Sequence, residues 1–252
     1  GTVTIDSELT LDGVTIKRAE GFNGNLIAVN GENAQLTLRN TTIDGMMAED
    51  TAQTGYLVFV TEEATLNIEA GTKLINNRTT AVYINVRSYL NMTGGEIRNN
   101  VMPGGSNDTG VAVTILEEST FIMNGGSIHD NQTLNKGSSG IMANRSGRAV
   151  LNGGEIYGNR TQVSGMASAV HIKGGTVDLN GAEIYGNTSV SGCGALYVTN
   201  HSSFGPKWDG ILNINGGSIH DNTDEEGNEN AIYLWSRSDI EGTGAYLRFS
   251  GS

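Results

Sequence analysis

One phrase recurs along this chain with variations: LNMTGGEIRNN from Leu90, FIMNGGSIHDN from Phe121, AVLNGGEIYGN from Ala149, VDLNGAEIYGN from Val177 and LNINGGSIHDN from Leu212. A repeat of this length constrains the architecture before any single residue is interpreted. The first apolar residue of each unit falls at Leu9, Leu36, Leu66, Leu90, Phe121, Ala149, Val177, Leu212 and Leu247, with gaps of 27, 30, 24, 31, 28, 28, 35 and 35 residues. Two residues later comes a second apolar column: Leu11, Leu38, Ile68, Met92, Met123, Leu151, Leu179, Ile214 and Phe249. A spacing of two is the strand period and puts both columns on one face. A Gly-rich bend follows, then a third column: Ile16, Ile43, Leu74, Ile97, Ile128, Ile156, Ile184 and Ile219.

After a variable polar loop each unit enters another strand, as in Ala81-Val82-Tyr83-Ile84, Ala169-Val170-His171-Ile172, Ala195-Leu196-Tyr197-Val198 and Ala231-Ile232-Tyr233-Leu234. Three short strands per turn, unequal loops and no helical period predict an all-β chain. The architecture is a right-handed parallel β-helix of about eight to nine rungs, each paired with the next at roughly 4.8 Å. A leucine-rich repeat shares the Leu-x-Leu-x-x-Asn spacing, but it lacks the second bend and third strand and is usually shorter. Three residues beyond the third column stand Asn77, Asn100, Asn131, Asn159, Asn187 and Asn222. These read as scaffold: Asn tolerates the left-handed or bridge backbone of a bend, and stacked amides bond along the axis as a ladder. The Gly residues of the NGG bends permit positive φ at a corner.

Composition narrows the class. Only 2 prolines in 252 residues suit continuous ladders, and 36 glycines suit many corners. A net charge of -12 argues against nucleic acid and anionic membrane as partners. No apolar run is long enough to insert in a bilayer. The single cysteine, Cys193, excludes an internal disulfide and reads as small buried filler. Residues 1–252 read as a single β-helix domain about 40 Å long, from eight rung spacings. The abrupt start on TVTI and the unfinished last repeat make it an expected fragment of a longer multidomain protein.

On the strings LTLRNTTIDG, MNGGSIHDN and LNGGEIYGN, the chain resembles the Gly/Asn-rich β-helical repeats of large adhesin-like surface proteins from gut Firmicutes. The resemblance covers nearly the whole chain. It implies the pectate-lyase-like coil and a secreted or cell-surface protein with a glycan or glycoprotein surface as partner. The same coil also carries polysaccharide lyases and glycoside hydrolases.

Function on such a coil lives in outward side chains and loops. One outward stripe is Arg98, His129, Tyr157, Tyr185 and His220, edged by Glu96, Glu155 and Glu183. Flat rings beside carboxylates suit a sugar, whose apolar face a ring covers while the carboxylate accepts from its hydroxyls. The plainer reading is strand-surface residues copied by duplication. A second stripe holds Tyr83, Met142, His171, Tyr197 and Tyr233, for which cross-rung ring packing is the plainer reading. The insertion TNHSSFGPKWDG places Phe204, Pro206 and Trp208 in a loop, and Trp235 follows the equivalent strand one unit later. Aromatics in a long loop mark either binding or a small satellite core.

Two further constellations bear on chemistry. Glu155 and Glu183, expected ~5 Å apart on neighbouring rungs, match the carboxyl spacing of retaining glycosidases, a spacing that any duplicated Glu also produces. With Asp221 they are the catalytic candidates of an enzyme reading. The loop DNTDEEGNEN offers Asp221, Asp224, Glu225, Glu226 and Glu229 as oxygen ligands for Ca²⁺, without EF-hand spacing. The four histidines never share a zinc-ligand spacing. The expectation is a non-enzymatic module that binds glycan through His129, Tyr157, Tyr185, His220, Tyr197, Tyr233, Trp208 or Trp235, or serves as a rigid stalk. The alternative is a glycoside hydrolase or polysaccharide lyase on the same coil.

Overall fold

A computed structural model describes residues 1–46, 55–104, 108–190, 193–202 and 206–250. The first sheet runs through nine strands from Val3–Ile5 to Ile232–Trp235, and the second through nine from Glu8–Asp12 to Ala245–Phe249. The third has eight, from Thr15–Lys17 to Ser218–His220. All three are parallel, and strand order within each follows the order of the repeats. The chain visits the sheets in turn, so each circuit is one rung of a right-handed parallel β-helix of about nine rungs.

The register follows the apolar columns. Leu9 pairs with Leu36, Leu36 with Leu66, Leu66 with Leu90, Leu90 with Phe121, and so on through Ala149, Val177 and Leu212 to Leu247. The third-sheet column pairs likewise from Ile16 to Ile219. A one-residue slip would turn a whole column to solvent. These columns fill the coil: Leu36, Leu66, Leu90, Phe121, Ile128 and Ile156 are fully buried.

Rungs four to eight add a fourth ladder of two-residue strands: Val101–Met102, Gln132–Thr133, Arg160–Thr161, Thr188–Ser189 and Thr223–Asp224. They lie just past the ladder Asn, inside what reads in sequence as polar loop, and two residues carry no alternation that would reveal them. Outside the coil, His201–Ser202 and Lys207–Trp208 pair antiparallel as a short ribbon. Trp208 therefore sits on a strand rather than in a loop; Phe204 lies outside the described residues.

The Asn ladder is continuous. The Nδ2 of Asn100 donates to Asn131 Oδ1 at 2.9 Å, Asn131 to Asn159 at 3.0 Å, Asn159 to Asn187 at 3.0 Å and Asn187 to Asn222 at 2.9 Å. The left-handed backbone belongs to the residue before each amide, not to the amide itself. Asn76, Asn99, Asp130, Gly158, Gly186 and Asp221 all have φ between 51° and 62°. Only the residue types that tolerate this conformation occupy the site, so the ladder Asn is selected for its hydrogen bonds alone.

The first rungs lack a ladder Asn, and a buried arginine closes the series. The Arg18 guanidinium donates to Asn77 Oδ1 at 3.1 Å and to the carbonyls of Phe22, Gly24 and Gly55 at 3.2, 2.6 and 3.0 Å. Arg18→Met keeps the apolar stem but strands these acceptors, each costing about 1–3 kcal/mol. The expected result is faster amide exchange confined to the first three rungs, read by hydrogen exchange. Uniform protection along the coil would show that the cap is dispensable.

Candidate functional site

The third-sheet stripe forms one stack. His129 and Tyr157 are parallel within 6° at 4.6 Å, Tyr157 and Tyr185 within 12° at 5.1 Å, and Tyr185 and His220 within 4° at 5.4 Å. Rung spacing imposes this arrangement: identical columns a strand apart stack ring on ring. Tyr157 and Tyr185 therefore spend both faces on their neighbours and present edges outward. A sugar laid flat needs an open ring face. At one end of the stripe Arg98 is the register partner of His129, whose side chain is 12% accessible, so the open ring face lies at the other end, at His220.

His220 is held by two carboxylates. Its Nδ1 lies 2.8 Å from Asp221 Oδ2 and its Nε2 2.8 Å from Glu183 Oε1. The bond to Asp221, then that to Glu183, raises its pKa above the ordinary histidine value. Glu155 and Glu183 are register partners. Glu183 thus has an imidazole partner on an open sheet face, while Glu96 is paired with Arg98 at 2.8 Å.

The acidic loop satisfies itself. Asp224 Oδ1 accepts from the backbone N–H of Glu226 and Asn228, both at 2.9 Å, and its Oδ2 from Asn228 Nδ2 at 3.1 Å. The bonds from Asn228 hold its carboxyl below the usual range. Glu225 lies 3.7 Å from Arg160, and Asp221 faces His220. Among the described residues no three His, Cys, Asp or Glu side chains are disposed around a metal position.

The first-sheet stripe is covered along its middle rungs, while Tyr233 at its end is exposed. Met142, His171 and Tyr197 are 0%, 1% and 4% accessible, because the polar loops fold back over this face. Ser138, from one such loop, bonds His171 Nδ1 at 2.9 Å, and Asp108, from another, reaches Lys173 at 2.6 Å and Arg145 at 3.2 Å. His171 and Tyr197 stack tilted at 4.8 Å, and Tyr197 and Tyr233 at 5.3 Å. Burial pushes the His171 imidazole down to about 3 and that of His201, on the ribbon, to about 4, so both are neutral at ordinary pH. The His171 Nε2 and both His201 nitrogens are buried without a hydrogen-bond partner.

Where this cover ends, a cleft of about 440 Å³ opens on rungs seven to nine. Its walls include Met166, His171, Lys173, Tyr197, Thr199, Trp235, Arg237 and Asp239. Lys173, Thr199 and Trp235 are register partners on successive rungs, so the lining is fixed by the sheet. Arg237 and Asp239 pair at 2.7 Å. Trp235 remains 50% exposed. Of the sequence candidates, Tyr197 and Trp235 meet in this cleft. Trp208 is stacked on His201 at 6.0 Å and belongs to a neighbouring cleft. Tyr233 lies on Tyr197 outside the lining. Neither cleft is lined by Glu155, Glu183 or Asp221.

Sequence reasoning did not find Lys173, Thr199, Arg237 or Asp239. The available signal was the break at VHIKGG, where a Lys ends a strand otherwise built from apolar and aromatic residues. Compared with known proteins, the chain matches no family model, no curated protein and no solved structure.

Proposed function

We propose that the chain is a non-enzymatic sugar-binding β-helical module, with the sugar seated in the cleft of Tyr197 and Trp235. The observation that carries this reading is Trp235, half exposed on the wall of a cleft whose other walls supply fixed polar groups. An indole face covers the C–H side of a sugar ring. Lys173, Thr199, Arg237 and Asp239 bring both donors and acceptors to its hydroxyls. A cleft of this size falls within the ~300–1,000 Å³ range of small-molecule sites. The resemblance to adhesin-like surface repeats supports a secreted or cell-surface setting, with the rigid coil as the support that displays the cleft.

Trp235→Ala is expected to weaken binding to whichever glycan a printed array identifies by about tenfold, or ~1.4 kcal/mol. Isothermal titration checks it. Trp235 is exposed at the side of the coil, so folding is preserved; unchanged affinity in a folded variant refutes this placement of the site.

A further inference from the structure

Two clefts lie beside each other, one on the outer face of the first sheet and one under the ribbon at the turn from first to second sheet, each walled by one of the chain's two tryptophans. The second cleft, about 450 Å³, is lined by Val86, Arg87, Glu117, Glu118, Arg145, Ser146, Pro206 and Trp208. The two are neighbours: the Arg145 N–H donates to the Lys173 carbonyl at 3.3 Å, joining the last rung of one to the first rung of the other. Between them the ribbon rests on Gly174. A Cβ there would lie 2.7 Å from the His201 Cβ and 2.9 Å from the Trp208 Cβ.

The wall of this cleft is built at a conformational cost. Val86, Arg87, Glu117, Glu118, Arg145 and Ser146 all have φ between 48° and 67°, pairs of left-handed residues at the turn from first to second sheet. Gly would adopt this backbone without strain, as Gly174 does in the next rung. A β-branched Val and four long charged side chains stand there instead. What they add is an outward-projecting wall; the same left-handed pair recurs one rung earlier at Glu62 and Glu63, outside the lining, so the backbone belongs to the turn of the coil and the side chains to the cleft.

The lining of one cleft is neutral, with Arg87 and Arg145 against Glu117 and Glu118; that of the other carries Lys173 and Arg237 against Asp239, and Asp108, outside both linings, pairs with Lys173 and with Arg145. A polyanion would find no net cationic field here, on a chain whose overall charge is -12. The clefts together span rungs four to nine, about 24 Å along the axis, room for several sugar residues in line.

Building on the sugar-binding reading above, we infer that the ligand is an extended, uncharged glycan chain lying along the coil axis, held at one point by Trp235 and at another by Trp208, with the ribbon between them. Two sites on one ligand multiply affinity only when it is long enough to reach both.

The test is isothermal titration of neutral gluco-, xylo- and manno-oligosaccharides of two to six residues, with oligogalacturonates as the acidic control. The expected result is affinity for one neutral series that rises at least tenfold between dimer and hexamer. Trp208→Ala should remove that gain and leave dimer binding intact. Because Trp208 stacks on His201 and helps hold the ribbon, Arg87→Ala, on the opposite wall, is tested in parallel and is expected to blunt the gain in the same way. Equal affinity for dimer and hexamer, or a length gain that survives both substitutions, overturns the two-cleft inference while leaving a single sugar site at Trp235. Preference for oligogalacturonates overturns the uncharged ligand. Absence of binding to every series, or binding indifferent to Trp235→Ala, instead removes the sugar-binding reading on which the inference rests.

Discussion

Replacing Asn159 by Leu is expected to lower the unfolding free energy by roughly 3–6 kcal/mol, although the new side chain is uncharged and similar in size. Asn159 stands mid-ladder and is fully buried. Its Oδ1 accepts from Asn131 Nδ2 at 3.0 Å and from the Asn131 backbone N–H at 3.1 Å. Its Nδ2 donates to Asn187 Oδ1 at 3.0 Å and to the Ile128 carbonyl at 3.0 Å. Leu satisfies none of these, and the groups left behind have no water to turn to. The loss should exceed that for Asn152→Leu, whose amide belongs to a second ladder in the solvent: Asn152 donates to Asn124 at 2.9 Å, but that bond is exposed. Urea unfolding of both variants compares them. Equal losses would mean that burial does not set the value of the ladder.

Acid should destabilise the coil through two histidines that are neutral when folded. Burial depresses the His171 pKa from about 6.5 to about 3 and that of His201 to about 4. In the unfolded chain both take up protons below pH 6.5, while the folded chain resists. The unfolded state therefore binds more protons between pH 6.5 and the folded values, and stability falls as pH drops through that window. For His171, which is 1% accessible, the loss by pH 4 is on the order of 3 kcal/mol. The comparison that isolates it is His171→Phe, since carboxylate protonation affects both proteins alike. Denaturant midpoints at pH 7 and pH 4 should drop less in the variant than in the wild type. Parallel drops would mean that the folded imidazole already carries its proton.

The fold was legible because its signal is repeated. One unit leaves its register ambiguous, but nine units aligned on three apolar columns fix which residues point inward and which stack on which. The pairing of Leu90 with Phe121 or Ile128 with Ile156 follows directly. The fourth ladder was not legible, because strands such as Arg160–Thr161 are two polar residues long and are held by their neighbours' backbone. The location of positive φ was read one residue late: in Asp130-Asn131 it is the Asp that turns.

The candidate site was partly legible for the same reason. Periodicity told which aromatics leave the coil, but not what happens to them afterwards. His129, Tyr157 and Tyr185 stack on one another, whereas His171 and Tyr197 are roofed by loops of irregular length. The cleft appears only where that roof stops. Its polar members, Arg237 and Asp239, come from a segment that repeats nowhere else in the chain.

The central claim is that sugar sits on Trp235, and one fluorescence measurement addresses it directly. The chain has two tryptophans, so Trp208→Phe leaves Trp235 as the sole reporter. On titration with a neutral oligosaccharide that the wild type binds, its emission should move to the blue and its quenching by acrylamide should fall, as the half-exposed indole is covered. Binding detected by calorimetry with the Trp235 emission and quenching unchanged would place the sugar elsewhere and contradict the account.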